Sequence, residues 1–331
     1  MKRIRRKIVL ASCAVLMLLL TTVSITFAWF SLNESAWLEG MELEVNNMDN
    51  LLITSDYDTD TAKMKFKQYL TAEDIVAAIN QKRDDSNKIT GLSDIKLAPV
   101  TTTNGVDFSQ TVVSYDAMNK QTLGFETADL NSYISMRISF IVENNGTEKP
   151  DFDLVFAIEE DDVTDIAKTT FAAEDQTITL VNDLVNGDTP MKPEENLVVN
   201  PVNALRMAVT NISDNVVHIY NIGKSTKTNA NAGKNLGDLA DSANADKNAM
   251  FTYYNNINNA DLPVMGDMDS SVVQHDELDQ VLGTFTTVTD TQYTVVTLDI
   301  VIWIEGYDAD SIIGLDTTAI TMLLTFGADK K

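Results

Sequence analysis

The stretch QYTVVTLDIVIWIE, Gln292–Glu305, has the clearest structural pattern in the chain. Its apolar side chains recur at every second position: Val296, Leu298, Ile300, Ile302 and Ile304. The positions between them carry a more mixed set: Thr297, Asp299, Val301 and Trp303. Because successive side chains of a strand point to opposite faces, this alternation predicts a strand with one face in a core. Strands of this kind are typical of antiparallel sheets.

The same two-residue period recurs along the chain. Further alternating or short apolar segments lie at residues 41–45, 51–54, 132–143, 152–158, 204–210, 216–220, 281–288 and 320–326. Asn144–Thr147 and Ser213–Asn215 each separate two such segments, and their residue types favour the loops of hairpins. Eight or more short strands with turns between them predict an all-β fold, an antiparallel β-sandwich of the immunoglobulin-like kind.

Two segments depart from this pattern, at residues 57–130 and 224–270. In the first, Thr71 and Asp74 have the spacing of a capping box at the start of a helix. In the second, Leu236–Tyr254 is a candidate helix. We expect both segments to be partly helical insertions in loops of one sandwich domain that spans residues 29–331, because no Pro- or Gly-rich linker divides this range.

The first 28 residues have the pattern of an export signal. Basic residues lie at the start of the chain: Lys2, Arg3, Arg5, Arg6 and Lys7. Residues 8–27 carry no charge, and the small residue Ala28 suits the last position before a cleavage site at Trp29. Because the apolar stretch is nearly long enough to span a bilayer, a membrane anchor at residues 8–27 is the alternative to cleavage. In both cases the chain beyond Ala28 is exported, either secreted or held at the cell surface.

Charge and cysteine content limit the classes of function. The chain has 331 residues and a formal charge of −25, and removal of the five basic residues of the leader makes it −30. This acidity argues against a nucleic-acid partner, which needs a basic surface. Cys13 is the only cysteine and lies in the leader. The exported part therefore has no disulfide framework, and burial of apolar surface must stabilise it.

The residues that catalysis usually needs are scarce. The chain has two histidines, His218 and His275, and neither begins a His-Glu-x-x-His zinc motif. A Gly-x-Ser-x-Gly elbow and a Gly-rich phosphate loop are also missing from the sequence. We interpret both histidines as structural, and we expect a protein that is not an enzyme.

The acidic clusters are weak candidates for calcium. Asp56, Asp58 and Asp60 have the alternate spacing that opens an EF-hand loop. The sixth and twelfth positions of that loop require Gly and Glu, but here they are Thr61 and Lys67, so the motif fails. Two further carboxylates follow the strand at 292–305: Asp308 and Asp310. Solvated loop carboxylates are the preferred interpretation, and we expect no metal or cofactor beyond weakly bound Ca²⁺.

Large aromatic residues cluster at the start of the exported chain. They are Trp29, Phe30 and Trp37. Three such side chains on a free terminus are costly unless they pack against something. They either form the first strand of their own sandwich or complete the sheet of a neighbouring copy by strand addition.

Four segments carry a resemblance to a known family: Ala28–Phe30 (AWF), Gly40–Val45 (GMELEV), Asp49–Ile53 (DNLLI) and Val301–Asp310 (VIWIEGYDAD). Together they resemble exported surface proteins of Firmicutes such as TasA and camelysin, whose leaders are processed by a SipW-type signal peptidase. The resemblance implies a jelly-roll-like β-sandwich, export, and in some members assembly into biofilm-matrix fibres through N-terminal strand exchange. The protease activity described for camelysin does not carry over, because no zinc motif is present.

Three functions are therefore open. The first is a structural protein of the cell surface or extracellular matrix, which includes the case of a fibre subunit. Its partners would be other copies of itself or other surface proteins, and a signal peptidase would act during export. The second is a surface adhesin or carbohydrate-binding module that uses the inserted loops. The third and weakest is a hydrolase with a carboxylate or metal site.

Overall fold

The computed structural model describes most of the chain from Ser35 onward. These residues belong to one compact unit, Ser35–Lys331. None of its described helices is both long and apolar enough to cross a bilayer. The described residues are 35–45, 50–115, 121–143, 148–158, 168–179, 184–186, 189–191, 196–222, 268–275, 277–289, 292–306 and 318–331.

Two seven-stranded sheets form the body of this unit. Sheet A has the order β18-β9-β22-β1-β3, with β10 paired to β22 and β4 paired to β1. Its strands are β1 (Ala36–Val45), β3 (Tyr69–Leu70), β4 (Lys96–Leu97), β9 (Phe152–Phe156), β10 (Thr170–Ala173), β18 (Gly283–Phe285) and β22 (Ala319–Lys330). Sheet B has the order β17-β16-β15-β21-β8-β2, with β5 paired to β21. Its strands are β2 (Leu51–Thr54), β5 (Pro99–Val100), β8 (Ile134–Val142), β15 (Leu205–Asn211), β16 (Val217–Asn221), β17 (Val272–His275) and β21 (Val296–Glu305).

The remaining described elements are short. Four two-stranded ribbons pair β6 with β7, β11 with β14, β12 with β13 and β19 with β20. Their bounds are β6 (Ser109–Tyr115), β7 (Gln121–Thr127), β11 (Gln176–Thr179), β12 (Leu184–Asn186), β13 (Thr189–Met191), β14 (Asn196–Val199), β19 (Thr287–Thr289) and β20 (Gln292–Tyr293). One α-helix, α1 (Ala72–Asn80), lies in the described chain together with 3₁₀ turns at Thr61–Lys63, Asp85–Asn87, Leu92–Asp94 and Pro201–Ala204.

The predicted all-β sandwich is confirmed, but its sheets are mixed. Most neighbouring strands are antiparallel, as in the pairs β15–β21 and β21–β8. Three pairs are parallel instead: β1–β22, β16–β17 and β21–β5. The predicted antiparallel pairing thus holds for most neighbouring strands but not for these three pairs. Strands that are distant in sequence meet in these three pairs, and hydrophobic alternation does not encode their relative direction.

The core lies between the two sheets. The alternating residues of β21 are buried there together with inward-facing residues of β1, β8, β9, β15 and β22. Phe140 of β8 approaches Phe326 of β22 with ring centroids 4.7 Å apart, and Phe156 of β9 approaches Tyr220 of β16 at 5.9 Å. Side chains of the two inner faces thus interdigitate, which is how a sandwich fills its interior.

Helix α1 closes one side of this core. The Thr71 hydroxyl accepts the Asp74 backbone N–H at 3.3 Å, and the Asp74 carboxylate accepts the Thr71 backbone N–H at 2.8 Å. These two bonds form the predicted capping box. The helix buries Ile75, Ala78 and Ile79 and packs against β8 of sheet B and β1 of sheet A. The first insertion therefore contributes to the core as well as to a loop.

The outer face of sheet B is covered rather than solvated. A second apolar cluster holds Ala208, Val217, Ile219, Val301 and Trp303 of this face against Val100, Phe108 and Ala128. The Phe108 ring lies 4.4 Å from that of Tyr133 and 5.1 Å from that of Trp303, measured between centroids. The insertion at 57–130 thus protects a face that alternation alone would leave in water.

One of the two predicted hairpins was wrong. The segments on either side of Asn144–Thr147 become β8 and β9, which lie in different sheets. Their apolar faces enter the same core from opposite sides. The second predicted hairpin is confirmed, because β15 and β16 pair directly and Asn215 at their turn has a φ of 58°. The segment at 281–288 forms β18 and part of β19 rather than one strand.

Candidate functional site

β1, the first described strand, lies inside sheet A rather than at its edge. It pairs in parallel with β22 at eight register positions, from Trp37 opposite Ala319 to Val45 opposite Phe326, with an irregularity near Gly40. Its inward-facing side chains are buried: Ala36, Leu38, Met41, Leu43 and Val45. The strand therefore contributes apolar area to the main core and hydrogen bonds to the last strand of the chain.

The other edge of β1 has only short partners among the described strands. β3 pairs with β1 at Leu43 and Glu44, and β4 pairs with it at Ala36 and Trp37. Each of these partners is two residues long. The long pairing with β22 is consequently the main attachment of β1 to its sheet.

The predicted aromatic cluster is only partly within the described chain. Trp37 lies on the outward face of β1 with 64% of its surface exposed, and its backbone N–H donates to the Thr318 carbonyl at 3.0 Å. Ala28, Trp29 and Phe30, with the expected cleavage site, lie outside the described residues. Trp37 thus belongs to a strand of its own sheet, and its proposed exchange between copies stays a prediction.

The outward face of β1 is acidic. Glu39 and Glu42 are exposed, and Glu44 is half-buried. The Glu44 carboxylate accepts a hydrogen bond from the Thr325 hydroxyl of β22 at 3.3 Å. Unlike the outer face of sheet B, the described part of this face presents carboxylates and Trp37 to its surroundings.

The weak calcium candidates form local turns. The Asp58 carboxylate accepts the Asp60 backbone N–H at 2.8 Å, and the Asp60 carboxylate accepts the Ala62 N–H at 3.3 Å. Lys63 pairs with Asp60 at 3.3 Å. Asp56 donates its backbone N–H to the Thr54 hydroxyl at 3.0 Å. No group of three or more potential metal ligands occurs among the described residues, which leave out Asp308 and Asp310.

The Ile-Trp-x-Glu-Gly segment lies beneath the insertion. The indole N–H of Trp303 donates to the Glu305 carboxylate at 3.1 Å, and both side chains are buried. Arg206 stands opposite Trp303 in the register of β15 and β21 and is fully buried as well. The Gly306 N–H donates to the Val100 carbonyl at 2.9 Å, which joins the end of β21 to the insertion. These contacts stabilise the end of β21, which supports a structural role for the segment.

The two histidines, both interpreted from the sequence as structural, lie next to each other in the structure. The His218 Nδ1 and His275 Nε2 atoms lie 2.8 Å apart, and the ring planes differ by 18°. The Tyr220 ring lies against His275 with centroids 5.1 Å apart. Burial of the imidazole, with the charge of His218, lowers the pKa of His275 below its usual 6.5, while Asp279 opposes the shift. Both side chains are half-buried.

A groove adjoins this pair. It has a volume of about 530 Å³ and lies between the β15–β16 turn and the segments around β18 and β20. His218 forms part of its wall, together with polar side chains that include Asp214, Thr284 and Thr294. Gly283 also lines it, and a Cβ atom there would come within 2.6 Å of Val296 Cγ1. The glycine therefore permits the close approach of β18 to the start of β21.

A network of charged side chains connects the first insertion, residues 57–130, to sheet B. Arg137 of β8 binds Asp299 of β21 through two nitrogens, at 2.6 and 2.7 Å, and Lys82 after α1 binds the same carboxylate at 2.8 Å. The Arg137 guanidinium also lies 4.9 Å from the Tyr57 ring centre. Burial alone would raise the pKa of Asp299, but the hydrogen bonds from Arg137 and Lys82 lower it.

Comparison with known proteins adds no relative: no family model, no curated protein and no solved structure matches this chain.

Proposed function

We propose that this chain is an exported structural protein of the cell surface or extracellular matrix, and that β1 is the element through which copies assemble. The observation that carries the proposal is the long parallel pairing of β1 with β22. Residues 1–28 support export, because a basic start is followed by an uncharged, mostly apolar stretch. A signal peptidase is the partner that export requires.

The position of β1 suits exchange between copies. It precedes all other described strands in the chain. It can therefore leave the sheet without passing another described strand through the fold. Its loss would expose five buried side chains and the hydrogen-bonding edge of β22. The β1 strand of a second copy would restore the same contacts, which is strand addition by domain swapping.

Such an exchange joins copies head to tail when each copy donates β1 to the next and receives one from the previous copy. A filament follows when the rotation between copies fails to form a ring. Retention of β1 within its own chain gives a monomer instead.

A disulfide trap distinguishes the two states. The paired positions Glu42 and Leu323 on β1 and β22 are not fully buried and are neighbours across the strands, as a disulfide requires. The substitutions Glu42→Cys and Leu323→Cys are made in a Cys13→Ser background, because Cys13 is the only native cysteine. Under assembly conditions we expect crosslinked ladders of several chains on a non-reducing gel.

A second cysteine pair in the same sheet controls for disulfides that form when copies meet at random. Ala172 and Thr321 are exposed neighbours on β10 and β22, and neither lies on β1. The variant with cysteines at these positions is expected to crosslink within one chain whether or not β1 exchanges. If the Glu42–Leu323 pair also crosslinks only within one chain, and electron microscopy shows no filaments even with seeds, assembly through β1 is rejected.

A binding module for carbohydrate is the second candidate. The groove beside His218 supports it, because its volume of about 530 Å³ is within the range of small-ligand sites and its wall carries hydroxyl and carboxylate groups. A glycan array probed with wild type and with Thr284→Val tests this function. Loss of a specific signal in the variant supports binding in the groove, and an array without any signal counts against it.

A further inference from the structure

The only two histidines of the chain meet through strand pairing. β16 and β17 are parallel, with His218 opposite Val273 and Tyr220 opposite His275. Residues two positions apart on a strand share a face, so His218 and His275 lie diagonally on the same face of adjacent strands. This placement results from the tertiary structure, because 57 residues separate them in sequence.

The two rings point at each other edge to edge. Their centroids are 5.1 Å apart and the nitrogens 2.8 Å apart, so the centroid distance is nearly the nitrogen distance plus the two ring radii. The nitrogens therefore lie close to the line between the ring centres, and the rings are not stacked face to face. In a neutral imidazole one nitrogen carries a lone pair, and in this arrangement it faces the proton of the other ring.

We infer that His218 Nδ1 and His275 Nε2 form a binding site for a borderline divalent transition-metal ion of the Zn²⁺ class. The ion would take the place of the shared proton, so that both lone pairs point at it. Two metal–nitrogen bonds of about 2.0–2.1 Å at a tetrahedral angle place the nitrogens about 3.3 Å apart. From the collinear arrangement, the rings must therefore separate by about half an ångström, and each ring must turn by about 35° to aim its lone pair at the ion. β17 is a four-residue strand at the edge of sheet B and pairs only with β16 among the described strands, so the adjustment disturbs no other described pairing.

The surroundings favour this class of ion over a hard cation. Imidazole ligands select Zn²⁺, Cu²⁺ and Ni²⁺, whereas Ca²⁺ and Mg²⁺ take oxygen ligands. Within the described chain no further His, Cys, Asp or Glu completes a cluster of three. His218 also lines the groove described above, and solvent from that groove would fill the remaining coordination positions. The strongly negative charge of the protein raises the local cation concentration.

Two imidazoles make the experiment unusually clear. The untagged full chain is labelled with ¹⁵N and titrated with ZnCl₂, and the imidazole proton–nitrogen correlations are recorded. Because the chain has only two histidines, every imidazole signal belongs to the proposed site. We expect both rings to shift or broaden, with saturation near one equivalent, and CaCl₂ to leave them unchanged.

Substitutions test whether the histidines hold the ion. His218→Gln and His275→Gln are each expected to weaken Zn²⁺ binding at least tenfold by calorimetry, whereas Asp58→Asn, in the acidic turn, leaves it unchanged. Backbone spectra of the three variants check that they are folded. Imidazole signals that stay unchanged at a tenfold excess of ZnCl₂ overturn the inference even if a variant does not fold. Unweakened binding by both folded glutamine variants also overturns it, because the ion then lies on surface carboxylates.

Discussion

Gly105 shows at the scale of one residue how the insertion reaches the outer face of sheet B. Its φ is +70°, in the region that residues with a Cβ atom avoid. A Cβ atom at this position would lie 2.7 Å from Val217 Cγ1 and 3.3 Å from Ala208 Cβ. The Gly105 N–H donates to the Thr102 hydroxyl at 2.9 Å, which holds the turn in place. Close approach and backbone conformation therefore both require glycine.

The substitution Gly105→Ala is expected to lower the free energy of unfolding by about 2–3 kcal/mol, from backbone strain and overpacking together. Urea denaturation followed by circular dichroism measures the change. Gly40→Ala is the matched control, because an added Cβ atom there meets nothing within 4 Å. Equal stability of the two variants would contradict this account of Gly105.

At the scale of elements, β1 and the charged network around Asp299 attach distant parts of the chain to the core. β1 does so through alternating apolar side chains, and the network does so by linking the end of α1 to β8 and β21. The first attachment depends mainly on apolar burial, and the second depends on an ionised carboxylate. The two elements therefore respond differently to substitution and to acid.

Truncation of an inward-facing side chain of β1 removes buried apolar area. Leu43 is 1% exposed, and Leu43→Ala is expected to lower the free energy of unfolding by about 2–5 kcal/mol, from lost burial and the cavity that remains. Glu42→Ala, on the exposed face of the same strand, is the control and should leave stability nearly unchanged. Similar losses in both variants, measured by urea denaturation, would show that β1 does not pack as described.

Asp299 makes stability depend on pH. Its pKa in the folded protein is lowered, so its contribution is fully present above the ordinary value of 3.8 and disappears as the pH falls through the lowered value. At pH 7, Asp299→Asn is expected to cost about 1–3 kcal/mol, because Arg137 and Lys82 lose charged hydrogen bonds. The stability lost in Asp299→Asn should become smaller as the pH falls below the pKa that Asp299 has in the folded protein. Denaturation curves at pH 7 and in acid measure this, with Asp85→Asn as a control expected to show a much smaller change, because its ion pair with Lys88 is exposed and screened by solvent.

At the scale of the whole molecule, negative charge opposes compaction. The formal charge is −25 over 331 residues, and no disulfide can form from one cysteine within the chain. Burial in the two apolar clusters must therefore overcome repulsion between carboxylates as well as chain entropy. The same repulsion acts between copies in any filament.

Salt should consequently stabilise the fold. Raising NaCl from about 10 mM to about 0.15 M shortens the screening length from about 30 to about 8 Å. We expect the urea midpoint to rise over this range, since repulsion is weaker in the more extended unfolded chain. An equal osmotic concentration of sucrose controls for effects other than screening. A midpoint that falls as NaCl rises would mean that attractive ion pairs, such as that of Arg137 and Asp299, outweigh the net repulsion.

Local chemistry was enough to predict several features from the sequence. The alternation at 296–304 predicted a strand with one face in the core, and the structure buries Leu298, Ile300 and Ile302 completely. Thr71 and Asp74 predicted the start of α1, because a capping box involves only residues three positions apart. The confirmed β15–β16 hairpin is likewise a local feature, since its two strands are joined by a short turn.

The sequence by itself thus determined that this chain forms strands, which side of most strands faces a core, and where a helix begins, because these depend on neighbours along the chain. Only the tertiary structure decided that β9 leaves β8 for the opposite sheet, that Trp303 lies under the insertion, and that His218 meets His275. Each of these depends on which distant segments pack together. Strands with similar alternation can pair in many ways, and the packing of the whole core selects among them.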